Sequence, residues 1–195
     1  MKRTILILLL WGMCTYPVYA ETTWQVAPGR TSIKFKVKHL VFMEVEGKFK
    51  KFEGKVVMPN EDLTDATIEG RIQANSVYTG NHDRDDHLRG EDFFNVIQFP
   101  EIVFTSQSIV KVSHEEIYRM RGNLTILGVT RPIELEAVCS GKKQLSNGKT
   151  RMDLTVTGSL NRFDYGFMWN EIMENNKSIV GDTIDITLNL ALLKD

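Results

Sequence analysis

The stretch "YRMRGNLTI", Tyr118–Ile126, alternates without a break. Tyr118, Met120, Gly122, Leu124 and Ile126 share one parity. Arg119, Arg121, Asn123 and Thr125 share the other. Successive side chains of a strand point to opposite faces, so a period of two sends the first set inward and the second into water. A helix would scatter the same arginines around its circumference. One wet face and one buried face is the mark of an antiparallel strand, because parallel strands are buried on both sides. Gly122 is the oddity, a residue without bulk in the middle of the apolar face.

The same period recurs along the chain. Ile33, Phe35 and Val37 alternate with Lys34, Lys36 and Lys38, and Ala66, Ile68, Gly70, Ile72 and Ala74 alternate with Thr67, Glu69, Arg71 and Gln73. Met152, Leu154, Val156, Gly158 and Leu160 alternate with polar residues, as do Ile184, Ile186, Leu188, Leu190 and Leu192. Weaker strands fit near Trp24–Val26, Phe49–Met58, Ile102–Val112 and Ile133–Cys139. Between them lies turn chemistry at Pro28-Gly29, Pro59–Asp62, Gly128–Pro132 and Ser146-Asn147-Gly148. A set of roughly eight such strands with one apolar face each must form a sandwich or close on itself. Glycines at mid-face (Gly70, Gly122, Gly158) favour closure, since glycine inside a strand marks a bend or a close approach. With Ala66 and Ala74 they also favour an unfilled cavity, and a barrel of about eight strands is just wide enough to hold one small ligand.

The chain has 195 residues. The first twenty, "MKRTILILLLWGMCTYPVYA", combine Lys2 and Arg3, a short apolar run and Val18-Tyr19-Ala20 before a cleavage point, which predicts a secretory signal peptide over 1–20. Cys14 lies inside it, but Trp11 and Met13 are bulky where a lipoprotein signal needs a small residue. Residues 21–195 then form one domain. With 24 basic against 25 acidic residues, two of the basic ones in the leader, nothing draws the chain toward nucleic acid. Cys139 is left alone, so no disulfide framework exists, and its place at the end of the Ile133, Leu135, Ala137 alternation predicts a small buried hydrophobe.

Three segments break the alternation. His39–Gly47 ("HLVFMEVEG") reads as an irregular or helical link. Arg162–Asn176 gathers Phe163, Tyr165, Phe167, Met168 and Trp169, which should pack over a barrel mouth rather than face water. The third, "NHDRDDHLRGEDFF" (Asn81–Phe94), reads as a short helix with Asn81 as N-cap and Gly90 as the glycine past its end. Acids in its first turns and Arg89 in its last suit the helix dipole without any chemistry. A metal site on His82, Asp83 and His87 is the sharper reading, but the two histidines diverge by about 140° on a regular helix. No HExxH, CxxC, EF-hand or GxSxG spacing occurs. Lys34, Lys36 and Lys38, interspersed with Glu44 and Glu46, form a solvated stripe before they form a lipid-docking one.

Three longer stretches carry a family resemblance. "TGNHDRDDHLRGEDFFNVIQFPEIVFTS" (Thr79–Ser106), "GNLTILGVTRPIEL" (Gly122–Leu135), and "LNRFDYGFMWN" (Leu160–Asn170) with "VGDTIDITLNL" (Val180–Leu190) together resemble the YceI-like family of exported bacterial proteins. The resemblance covers nearly all of the chain beyond the leader. It implies an all-β fold, a lipocalin-like antiparallel β-barrel of about eight strands with short helices and loops covering one end. It also implies a hydrophobic tunnel holding a polyisoprenoid, polyprenyl quinone or fatty amide, for transport, storage or stress protection. The protein would be no enzyme and use no cofactor beyond such a bound lipid or isoprenoid quinone. It would be periplasmic or secreted, with a lipophilic small molecule as partner, transient membrane-surface contact and a homodimer as further expectations. A scavenger of lipophilic toxins or antibiotics would use the same pocket, and a metal-dependent hydrolase on His82, Asp83 and His87 is the remaining competitor. Gly90 departs from the family's usual Ser, and Phe163 and Tyr165 from a Ser and a Phe.

Alternation and resemblance together nominate the tunnel wall and lid: Phe35, Val37, Ile68, Ile72, Phe93, Phe94, Phe104, Leu124, Ile126, Leu154, Val156, Phe167 and Trp169. His87 and Arg89 are nominated for the ligand's head group. A chain in a dry lumen would gain about 0.8 kcal/mol per buried methylene.

Overall fold

A computed structural model of the chain describes residues 21–39, 43–113, 115–169 and 180–194. The proposed leader, 1–20, lies outside the described residues, as does most of the polar end of the aromatic segment, 170–179. The strands are β1 (Thr22–Val26), β2 (Ser32–His39), β3 (Met43–Phe49), β4 (Phe52–Met58), β5 (Thr67–Gln73), β6 (Val77–Tyr78), β7 (Glu101–Lys111), β8 (Ile117–Ile126), β9 (Val129–Gln144), β10 (Thr150–Asn161) and β11 (Val180–Lys194). One helix, α1 (His82–Arg89), follows β6.

All pairings are antiparallel, and they close. The ring runs β1–β4–β5–β7–β8–β9–β10–β11 and returns to β1 through Gln25↔Leu193 and Val26↔Leu192. This is an eight-stranded β-barrel, one of the two arrangements the alternation allowed and the one expected. Two of its staves are built from two strands each. β11 is long enough to pair β1 near its C-terminal end and β2 along Ile184–Asn189. Between β1 and β2 a short 3-10 turn, Pro28–Arg30, interrupts the stave, and Pro28 has no N–H to give a ladder. Across from it, β3 and β4 form the second broken stave. Buried Ser76 stitches this break. Its Oγ accepts from Lys51 N (3.0 Å) and donates to Gln73 O (2.7 Å), while its carbonyl accepts from Lys50 N (3.1 Å).

Several expectations need correction. Much of His39–Gly47 is strand, not link: Met43–Phe49 pairs β2 through Val37↔Val45 and Phe35↔Gly47. Val45, Gly47 and Phe49 do alternate with Glu44, Glu46 and Lys48, but Gly47 hides the pattern. A Cβ there would lie 2.2 Å from the Phe35 ring, so the ring takes the space the glycine leaves. Gly122 and Gly158 behave alike, filled by the Phe104 ring (2.6 Å) and by Leu135 Cδ2 (2.4 Å) rather than left open. Ala66 and Ala74 are packed into buried surroundings and do not line the lumen. Only Gly70, among the mid-face glycines, faces empty space. Gly90 caps α1 with φ −70°, an ordinary extended conformation and not the left-handed one expected of it. The Gly128–Pro132 turn shrinks to Leu127-Gly128, both at positive φ (52° and 73°), which is the tight hairpin geometry; Pro132 sits within β9. Cys139 is half-buried, and desolvation raises its thiol pKa.

One end of the barrel is solid. Trp24, Met58, Leu63, Ile109, Tyr118 and Met152 are all at most 2% exposed there and belong to one buried core cluster. Strand directions place this floor at the start of β1 and β10 and the end of β4 and β7. The opposite end carries β6, α1, the Leu127-Gly128 turn and the short 3-10 turn Arg162–Tyr165.

A one-ended apolar cavity as the candidate functional site

Above the floor the lumen is empty. A cavity of about 550 Å³ occupies it, within the range of roughly 300–1,000 Å³ typical of small-molecule sites. Its wall is built strand by strand from the inward parity. β2 contributes Phe35 and Val37, β5 Ile68 and Ile72, β7 Phe104, β8 Leu124 and Ile126, and β10 Leu154 and Val156. The mouth end adds Phe93, Phe94, Phe167 and Trp169. All the side chains nominated for wall and lid thus line one space. Others that sequence reasoning left out share it, among them Phe49, Ile186, Leu188 and the cross-strand pair Gly54↔Gly70.

The phenylalanines explain how a polar helix is held. Phe94 stands edge-on to Phe49 (5.6 Å between centroids) and Phe167 (5.2 Å), inside the mouth. Phe93 packs on Trp169 (5.2 Å) and takes the His87 ring edge-on (4.9 Å). Buried Asp85 then fixes the helix start. It accepts from Thr79 N (2.7 Å) and Thr79 Oγ1 (2.6 Å), and Asn81 Oδ1 caps Arg84 N (2.9 Å). The four orphan N–H groups of a helix start need such acceptors.

The head-group nominations separate. His87 lines the cavity, with Nε2 2.9 Å from Asp92 Oδ2. Arg89 does not. Its guanidinium donates to Asn75 O (3.0 Å), Val77 O (3.0 Å) and Asp86 Oδ1 (2.7 Å), so it rivets α1 to β6 and is removed from the site. The residue in its place is Arg84, which lines the mouth and donates to Thr79 Oγ1 (2.8 Å) and Thr79 O (3.2 Å). A signal for it existed: Arg84, His87 and Leu88 stand at i, i+3 and i+4 and so share a helix face.

Arg162 was also missed. It is 3% exposed, yet every bond it makes goes to a carbonyl: Gly181 O (3.0 Å), Phe167 O (3.0 Å), Trp169 O (2.7 Å) and Val180 O (3.4 Å). Burial lowers its pKa from the usual arginine value, partly offset by Asp182. It ties the start of β11 to the turn that carries Phe167 and Trp169. The competing metal triad is not gathered. His82 Nδ1 pairs with Asp86 Oδ2 (2.9 Å) while His87 turns to Asp92. Among the described residues no group of three or more His, Cys, Asp or Glu is placed to hold a metal ion.

The YceI-like domain family matches residues 24–192, the whole barrel. The chain belongs to the YceI-like family. Protein YceI of Salmonella newport is 34% identical over 133 residues, covering 68% of this chain and 69% of its own. A relative from Shewanella denitrificans is 30% identical over 169 residues, 85% of this chain and 88% of its own. Among solved structures, a Campylobacter jejuni YceI protein superposes with a TM-score of 0.68 at 28% identity, over 82% of this chain and 91% of that one. A polyisoprenoid binding domain from Saccharophagus degradans, at 14% identity, shares the fold with a TM-score of 0.64 over 89% of this chain and 99% of its own.

Proposed function

We propose that this YceI-like protein is a non-catalytic carrier that holds one long apolar chain in the barrel, tail toward the floor and polar end at α1. The cavity itself carries the reading. Its inward wall is hydrocarbon, Trp24, Tyr118 and Met152 are buried beyond its floor end, and Asp83, Arg84, His87 and Arg162 gather at the mouth. A polar substrate would lose its hydration there without finding partners. A polyisoprenoid, polyprenyl quinone or fatty amide would not, and the polyisoprenoid binding domain of the same fold supports this class. Arg162 and Asp85 are spent on structural bonds, and His87 is paired with Asp92. The leader-like residues 1–20 support export to the periplasm or medium, where such a carrier would store or move lipid.

The test is a chain-length series. Each further methylene withdrawn from water contributes about 0.8 kcal/mol, or roughly a fourfold gain in affinity. Calorimetric titration of straight-chain amides should follow that slope and then flatten once the tail reaches the floor. Native mass spectrometry of protein from its own host should also find a bound chain. Affinity independent of length would refute the reading.

A further inference from the structure

The charges at the mouth are unbalanced. Elsewhere Arg71, Arg89, Arg119, Arg121 and Arg151 each reach a carboxylate, at 3.0, 2.7, 3.3, 2.9 and 2.9 Å. Among the described residues, the two arginines at the cavity mouth do not. Arg162 is buried and bonded to carbonyls alone. Arg84 spends Nε and Nη2 on Thr79, and its Nη1 has no partner among the described residues. A charge against an apolar wall acts through a low dielectric and is worth far more than the same charge in water. The acids nearby offset it only in part. Asp85 is buried, and its Oδ1 shares Thr79 Oγ1 with Arg84 Nε, so it balances one of the two guanidinium charges. Asp92, paired with His87, and Asp83, which lines the mouth, are exposed, where solvent and salt screen them. Asp182, beside Arg162, is likewise exposed.

We infer that the mouth selects an anionic head, a carboxylate or a phosphate ester, with Arg84 Nη1 as the contacting donor and Arg162 supplying a fixed positive field behind it. A guanidinium N–H to an ionised oxygen is roughly twice as strong as a neutral pair, and the acid's charge completes what the fold leaves open. The inference rests on the carrier reading above and adds the charge of the head to it.

The experiment compares ligands that share a tail. Oleate, oleamide and, as the phosphate arm, oleyl phosphate are titrated calorimetrically at pH 7.5 and low salt into delipidated full-length protein. The wild type should bind at least one anion about tenfold tighter than the amide. Which anion leads separates a carboxylate from a phosphate head. In Arg84→Gln the ratio of anion to amide should fall to about one, and Arg84→Lys should restore part of it. Because each ratio is taken within one protein, a general loss of stability does not mimic the result. Equal binding of anion and amide by the wild type overturns the inference and leaves the carrier reading standing, as does a preference that survives Arg84→Gln. No binding of any of the three sinks both.

Discussion

The two ends of this barrel are made from the same alternating strands and have opposite characters. At the floor, Trp24, Met58, Tyr118 and Met152 are at most 2% exposed, and none of them lines the cavity. At the mouth, Phe35, Phe104, Ile186 and their neighbours stay on the wall, and the axis is empty. The strand pattern cannot cause this difference, since it is common to both. Side-chain size and the tie to outside elements do. The floor carries large side chains such as Trp24, Tyr118 and Met152 that are buried and do not line the cavity. The mouth carries rings that fold back over glycines on neighbouring strands, with Phe35 over Gly47 and Phe104 over Gly122. Closure there falls to α1 and the Phe167–Trp169 turn, held by Arg89 and Arg162 through backbone carbonyls. One end is core, and the other is a site with a core's composition.

The contrast is broken most directly by truncating a tryptophan at each end. Trp24→Ala opens the floor and should cost about 3–5 kcal/mol in urea denaturation, the usual range for a buried aromatic. Trp169→Ala removes ring contacts to His87 and Phe93 at 5.4 and 5.2 Å. Its cost should be about 1–2 kcal/mol. Its larger effect should be kinetic, a faster release of bound ligand in stopped-flow displacement. Equal stability losses at the two ends would mean that the mouth is as much core as the floor.

Smaller effects should separate the glycines. A Cβ on Gly122 would meet Thr105 O at 2.6 Å, a backbone atom that cannot step aside. Gly122→Ala should therefore destabilise by about 1–3 kcal/mol, the range for overpacking. A Cβ on Gly70 meets nothing within 4 Å. Gly70→Val should leave stability unchanged or raise it by up to about 1 kcal/mol, since glycine is a poor strand residue. It should nonetheless weaken ligand uptake, because its methyls enter the lumen opposite Gly54. Thermal melts with a parallel ligand titration check both halves.

These glycines also mark how far the sequence could be read. Period two in Tyr118–Ile126 and its counterparts predicted antiparallel strands and their inward wall, because burial of one face leaves a trace at every second residue. The same letter at Gly70 and Gly122 means opposite things, and only the neighbouring strand decides which. Register across strands is not written locally, so Phe104 leaning over Gly122 was invisible, as was Phe35 over Gly47. Arg89 was nominated because it ends a helix near the aromatic run. Its bonds to Asn75 and Val77 depend on where β6 lies. Arg84 was legible by helical spacing and passed over, whereas buried Arg162, satisfied by carbonyls from either side of 170–179, left no local pattern to find.

The gentlest probe of the comparison is pH. Tyr118 belongs to the floor, and its phenol donates to Glu116 Oε2. Burial, and then the Glu116 bond, raises its pKa well above the ordinary tyrosine value. The sign follows from which state gives up the proton first. Below about pH 10 the folded and unfolded chains both hold it, and Tyr118 makes no pH-dependent contribution. Above that the unfolded tyrosine ionises while the folded one stays neutral, so stability falls as pH rises toward the folded pKa. Glu116 carries the opposite limit. Lys111, and then Tyr118, lower its pKa. Its contribution is present above about pH 4.5 and is lost as pH falls through the folded value. The urea midpoint of the wild type should thus hold steady across neutral pH and decline beyond pH 10. In Tyr118→Phe the alkaline decline should shrink, because no proton is left at that site to lose. An alkaline limb unchanged by Tyr118→Phe would place the pH-sensitive part of the barrel somewhere other than its floor.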